Sequence, residues 1–234
     1  MNRFLKIIGN ARLTIRQIGT LNALLYACDR TLKTLFTRSR IYRYIFVSQP
    51  VNLSTLTPPK RGTNIVVRSI GIGDAELSCM PPPPDVIKSR FDQGAICLGA
   101  FKDDLLTGYI WLCLGPYNED EVRSRFIPKP CGQAAWDFDI YIMPEHRFGF
   151  TFPRLWDAAN QHLQKNNINW TMSRISAFNP QSVASHNRLG ASQVGSATYF
   201  CAGQYQLMIS SLKPFIHISG FNSTPPDISI INCR

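Results

Sequence analysis

The sequence predicts a mixed α/β fold, a sheet with helices on both faces, with a basic helical arm ahead of it. Three observations predict this. Short apolar or alternating runs recur between residues 64 and 209 and read as strands. Two stretches in the same region read as helices, 151–165 by its apolar period and 180–188 by its capping residues. The order is a β-hairpin, then strand, helix, strand, helix, strand, which describes a mixed sheet covered on both sides.

In chain order, Ile15, Ile18, Leu21, Leu25, Cys28, Leu32 and Leu35 recur at three- and four-residue steps and form one helical apolar stripe. Arg12, Arg16, Arg30 and Lys33 are distributed around it, and Gly19 weakens the helix locally. Pro50 to Gly62 is rich in proline and reads as a linker. Asn64–Ile70 has the β-branched character of a strand, ended by Gly71 and Gly73. Pro81–Pro84 must be extended, and a short helix follows through Asp85–Phe91. Ala95–Phe101 and Leu105–Leu114, separated by Lys102-Asp103-Asp104, signal a hairpin. Tyr117–Gly132 is polar, charged and proline-bearing, so a long surface loop is expected there.

Trp136, Phe138, Ile140 and Ile142 alternate with Asp137, Asp139, Tyr141 and Met143, the pattern of a strand with one apolar face. Pro144 closes it. From Thr151 to Lys165 the period turns helical, with Leu155, Ala158, Ala159 and Leu163 on one side. Trp170–Phe178 is a further strand. Asn179 is a helix N-cap and Pro180 sits at the first turn, where its missing N–H costs nothing. Gly190 ends that helix. Ser196–Ile209 is extended, and the tail after Pro214 is expected to be a loop or an extended edge.

The net charge of +10 is unevenly placed. Residues 1–61 hold 11 Lys or Arg against the single acid Asp29, whereas residues 62–234 hold 14 of each sign. The asymmetry predicts three parts: an arm and linker over 1–61, a main domain over 62–212, and a tail over 213–234. Three readings of the arm stay open. It packs on the body or on a second copy of the chain; or residues 1–43 dock on an anionic membrane or an acidic carrier protein; or it binds nucleic acid. The interleaving of bases with core-type residues argues against the last.

An apolar content of 44% excludes a disordered chain. Bases interrupt every apolar stretch near the N-terminus, so no cleaved signal peptide or membrane span is expected. Seven cysteines without C-x-x-C spacing, and four histidines on separate elements, signal no metal site. A reducing cytoplasm is the expected location, with peripheral attachment at the inner membrane left open.

Two stretches carry the chemistry. The first is Pro144-Glu145-His146-Arg147-Phe148-Gly149-Phe150-Thr151, a loop that leaves a strand and opens a helix. Unpaired N–H donors and the positive end of the helix dipole make such a place suited to phosphate. The second is Ser176 to Ala191, in which a strand ends in Asn179, a short helix follows, and Arg188-Leu189-Gly190 closes it.

Together these resemble the acyl-CoA-binding core of the GNAT superfamily of N-acyltransferases, over roughly residues 63–210. The family loop reads Gln/Arg-x-x-Gly-x-Gly/Ala. Taking His146 as its first position puts Gly149 on the first glycine and Thr151 on the second. Starting at Arg147 puts Phe150 and Phe152 where small residues belong, which is sterically worse. Phe148 and Phe150 must then point away from the loop.

The resemblance implies that amides of His146, Arg147, Phe148, Gly149, Phe150 and Thr151 hold the CoA pyrophosphate, with Arg147 adding a charge-assisted contact. It implies that the strand bearing Ile140 and Ile142 lines the thioester arm and that Asn179 faces it. A tyrosine seven residues after this Asn protonates the leaving thiolate in many members. His186 stands there, and an imidazole of unperturbed pKa ~6.5 can do the same work. Many members take the acceptor's proton with an acid on this strand; Asp137 and Asp139 share one face of it, and Asp139, nearer its opening, is implied as the acceptor's base.

The activity implied is direct transfer of an acyl group, most simply acetyl, from acetyl-CoA or another acyl-CoA to an amine, without a metal. A non-catalytic acyl-CoA-binding module is the alternative, as is an acyltransferase recruited to a membrane or carrier by the arm. The acceptor carries no readable code.

Overall fold

The computed structural model describes residues 12–220 and 222–232. The expectation that bases interrupt every apolar stretch near the N-terminus rests partly on Arg3 and Lys6, which lie outside the described residues. The fold is mixed α/β, and its chain divides into two compact units. One comprises Met1–Gln49, Glu121–Arg125 and Arg174–Arg234, and the other Pro50–Asp120 and Phe126–Ser173.

The first unit opens with α1 (residues 12–18) and α2 (Thr20–Leu35), separated at Gly19, whose φ of 83° breaks the helix as its sequence suggests. Within the expected arm and linker over 1–61, the helix gives way to a strand at Ser39. There β1 (Ser39–Pro50) begins and pairs antiparallel with β9 (Ser192–Ala202), from Ser39↔Ala202 to Ser48↔Ser192. The run Ile41 to Val47 alternates bulky β-branched and aromatic residues, and a strand buries these better than a linker does. β10 (Tyr205–Ser210) and β11 (Ile216–Ser219) continue this sheet antiparallel. Much of the expected tail is therefore strand, with β12 (Asp227–Ile231) beyond it.

Asp29 explains how α2 is held. It is buried, accepts from the Ile41 amide (2.8 Å) and from Arg40 Nε (3.2 Å), and so ties the helix to β1. Ile18, Asn22, Leu25 and Leu32 are half-buried on the same face, while Leu21, Leu24 and Leu35 are exposed on a neighbouring one.

In the second unit the sheet runs β2 (Ile65–Ile70), β3 (Ile96–Lys102), β4 (Leu105–Cys113) and β7 (Ala134–Ile142), all antiparallel neighbours. The start of β8 (Trp170–Ser176) then pairs parallel with β7. The β3–β4 turn has Asp103 and Asp104 at φ 51° and 62°, the left-handed pair that a two-residue hairpin requires. α3 (Pro84–Asp92) precedes the hairpin. α4 (Thr151–Lys165) lies against β2, β3 and β4, burying Leu155, Trp156, Ala159 and Leu163.

The Pro50–Gly62 stretch is not a free linker. Asp157 of α4 accepts from the Leu56 and Thr57 amides at 2.6 and 3.1 Å, and Val51 N donates to Asn169 O at 2.9 Å. The expected surface loop at 117–132 is also corrected. It carries β5 (Tyr117–Asn118) and β6 (Arg125–Lys129), and Tyr117 and Phe126 are fully buried, against Phe138 and Trp136 respectively. Polar composition hid two aromatic anchors.

Candidate functional site

The site builds on β7. Its parallel pairing with β8 runs Ala134↔Trp170, Ala135↔Thr171 and Trp136↔Met172, and there the registered ladder ends while β7 continues to Ile142. On its other edge β7 stays paired with β4, but the register shifts. Trp111 faces Phe138 and Tyr109 faces Tyr141, so Ile110 alone spans Asp139 and Ile140. This is a β-bulge. Asp139 lies inside it at φ 46°, a left-handed conformation in which a non-glycine residue is strained.

The loop after β7 forms a single 3-10 turn, Pro144–His146, followed by Arg147 in helical conformation. Met143 N donates to Thr107 O (2.9 Å) and His146 N to Met143 O (2.8 Å), fixing the chain as it leaves the sheet. Gly149 N donates to His146 O at 3.2 Å. The first bond into α4 is Arg154 N to Phe150 O, 3.0 Å, so the amides of Thr151 and Phe152 precede the intrahelical ladder, and Pro153 has none to give. No side chain caps this helix.

The three bulky residues of the loop are disposed of separately. Phe148 is fully exposed. Phe150 turns toward Gly62, where any Cβ would lie 2.8 Å from the Phe150 Cβ. Thr151 is buried, its methyl 3.1 Å from the place a Cβ on Gly108 would take. The side chain that replaces the second loop glycine is thus absorbed by a missing side chain on β4. Arg147 folds back, its Nε donating to Ile142 O (3.1 Å) and its guanidinium lying 5.9 Å from the Tyr141 ring.

Asp139 Oδ2 accepts from Arg90 Nη1 of α3 at 2.5 Å. Burial by itself would lower the Arg90 pKa, but Asp139 and Asp120 more than reverse this, and the guanidinium stays charged. Nearby, burial first and Asp139 second raise the Tyr109 hydroxyl well above its ordinary range. Burial also pushes the Cys97 thiol up to about 12.

The remaining implied residues belong to the first unit. Asn179 is the N-cap of α5 (Pro180–Arg188), its side chain accepting from Ser182 N at 3.1 Å, as the sequence predicts. His186 is buried on α5, its Nδ1 2.9 Å from Ser182 O. A carbonyl only accepts, so Nδ1 carries a proton.

β7, its bulge and the loop therefore bring together Asp139, Ile140, Ile142 and His146–Thr151 along one continuous stretch. Sequence reading missed Arg90 and Gly108. An isolated glycine within the apolar run Leu105–Cys113 was a usable sign of close backbone approach. Arg90 carried no such sign.

Fold and loop define a mixed α/β protein whose parallel strand pair ends early and whose β7 leads through an uncapped turn into a helix. No family model matches the chain, and no curated protein sequence matches it. Among solved structures it is similar to a tandem GNAT protein from the clavulanic acid biosynthesis pathway. The identity is 16% over 70% of this chain and 54% of that one, with a TM-score of 0.49. It is also similar to a conserved protein of unknown function from Staphylococcus epidermidis (8% identity, 74% and 64% coverage, TM-score 0.48). A third is an aminoglycoside acetyltransferase from an uncultured soil metagenomic sample (8%, 55% and 88%, TM-score 0.39). The match spans less than two thirds of the length of the first two. Among the described residues, no helix is long and apolar enough to cross a membrane.

Proposed function

We propose that the chain is an acyl-CoA-dependent N-acyltransferase of the GNAT type. The observation that carries this reading is the early end of the β7–β8 ladder at Trp136↔Met172, ahead of a bulge and an uncapped helix start on the same strand. Main-chain donors of β7 beyond the ladder suit an acyl carbonyl; the amides of His146, Arg147 and Gly149 are bonded within the turn, and those of Phe150 and Thr151, ahead of the intrahelical ladder, suit a diphosphate. The loop fits that group because Phe148 points outward and Thr151 inward, both away from the helix start.

Acyl-CoA supplies an activated thioester. Asp139, through its second carboxylate oxygen, takes the proton of the attacking amine. The GNAT reading assigns proton donation to the departing thiolate to His186 and a cofactor contact to Asn179. Holding both reactants in place supplies much of the acceleration.

Calorimetry with CoA, acetyl-CoA and longer acyl-CoAs tests this, comparing the native chain with Gly149→Trp. Micromolar binding that the tryptophan abolishes is expected; equal, negligible heats for every compound sink the reading. The rival, a non-catalytic acyl-CoA-binding module, is favoured by one observation, the engagement of the Asn179 side chain in capping α5. It predicts binding without turnover and no effect of His186→Ala. The catalytic reading predicts that this variant loses about a hundredfold in rate with binding intact.

A further inference from the structure

Arg90 is 5% exposed and has no part in the roles assigned so far. Its guanidinium makes three contacts with carboxylates: Nη1 to Asp139 (2.5 Å), Nε to Asp120 (2.8 Å) and Nη2 to Asp120 (2.7 Å). Asp120 is itself fixed by the Tyr117 hydroxyl, which donates to its other oxygen at 2.8 Å. The guanidinium also lies 5.2 Å from the ring centres of both Trp111 and Phe138. Those two residues are the cross-strand pair at which the bulge begins. One buried cation therefore covers the entry to the bulge and grips the residue inside it.

Asp139 at φ 46° sits where side chains other than glycine are strained, and such a conformation persists only when its surroundings over-determine it. Within this unit Arg90 is the group that does so. The fork geometry matters, because a guanidinium satisfies two carboxylates at fixed angles while an ammonium is a single point.

We propose that Arg90 is a positioning residue for the acyl group. Acting through Asp139, it holds the β7 bulge so that the main chain from Asp139 to Ile142 is aimed at the thioester carbonyl. The inference rests on the acyl-CoA reading above. It separates two things which that reading leaves joined: the grip on the nucleotide, which belongs to the loop, and the grip on the acyl group, which belongs to the bulge.

The test uses the full chain with CoA and acetyl-CoA as probes, so no acceptor is needed. In the native protein acetyl-CoA binds more tightly than CoA by about three- to tenfold, the worth of one added hydrogen bond. Arg90→Gln erases that preference while leaving CoA affinity within about twofold, and Arg90→Lys restores part of it. Asp139→Ala has the same effect, and the double variant is no worse than either single one, because the two act as one unit. A role in stability alone would weaken both ligands together.

Amide hydrogen exchange of segment 137–142 is measured in parallel. It accelerates in Arg90→Lys, which keeps the charge and guards against a glutamine variant that does not fold. If the native chain binds neither probe, the acyl-CoA reading fails while exchange still reports whether Arg90 holds the bulge. If both probes bind and Arg90→Gln keeps the preference, or exchange at 137–142 is unchanged, the inference is overturned.

Discussion

Replacing Gly108 by alanine asks whether the close approach of β4 to the loop is as tight as the geometry indicates. An added Cβ would meet the Tyr141 carbonyl oxygen at 2.7 Å, Ile142 Cδ1 at 2.8 Å and Thr151 Cγ2 at 3.1 Å. The two side-chain contacts can relax by rotation. The carbonyl cannot, because it belongs to β7 and moves only with the strand. Overpacking of this kind costs about 1–3 kcal/mol. For a chain of 234 residues that corresponds to a fall in Tm of about 2–12 °C. Circular dichroism melts of the native chain and Gly108→Ala measure it. Adding Thr151→Ser removes the methyl but not the carbonyl, so the double variant is expected to recover only a minor part of the loss. Since the displaced strand feeds the loop, CoA affinity should fall as well. A Gly108→Ala protein melting within a degree of the native one would refute the reasoning. So would full recovery by Thr151→Ser, which would place the conflict at the side chain.

Other outcomes follow from the same structure. Asp29→Ala should cost about 1–3 kcal/mol, because the Ile41 amide is left without its acceptor, and should speed hydrogen exchange in α2. Unchanged exchange there would mean that the helix is held by its apolar face alone. Alkylation of the folded protein should modify the exposed Cys28, Cys79 and Cys131 first and leave Cys97 unmodified. With the Cys97 thiol pushed up to about 12 by burial, its thiolate forms only as the pH climbs far above neutrality, so mildly alkaline conditions should speed only the exposed sites. Early labelling at Cys97 by peptide mass mapping would contradict this. The cationic arm, with Leu21, Leu24 and Leu35 exposed on α2, is expected to carry the full chain onto anionic vesicles at low salt and release it as salt rises. Equal flotation with neutral vesicles, or none with either, counts against a membrane role.

Most of the second unit was legible because its signals are local. The β3–β4 hairpin, the alternation of β7 and the period of α4 each depend on residues within one element, and the structure reproduces them to within a few positions. Asn179 and Gly190 worked for the same reason, since a cap and a left-handed terminus are decided by their own backbone. The failures are non-local. Residues 39–49 sit in a basic segment whose composition suggested an appendage, but their strand character is realised by distant partners such as β9, some 155 positions away at Arg43 and Thr198. Tyr117 and Phe126 stand among charges and prolines, and nothing nearby in sequence announces that they pack against β7. The bulge was equally silent. It depends on a register between β4 and β7, and on an arginine from α3, that no window of sequence contains.

The loop shows why a motif can depart from its expected letters without losing its physics. A glycine at the second position lets a helix start come close to its neighbours and to an anion, and the requirement is the absence of a side chain between two backbones. Thr151 violates the letter, but its side chain is buried toward Gly108, so the vacancy has moved from the loop to the strand beneath it. The exchange runs across the α4–β4 contact. Reading the loop as defective because it has one glycine treats the motif as a string. Reading Thr151 with Gly108 treats it as a distance.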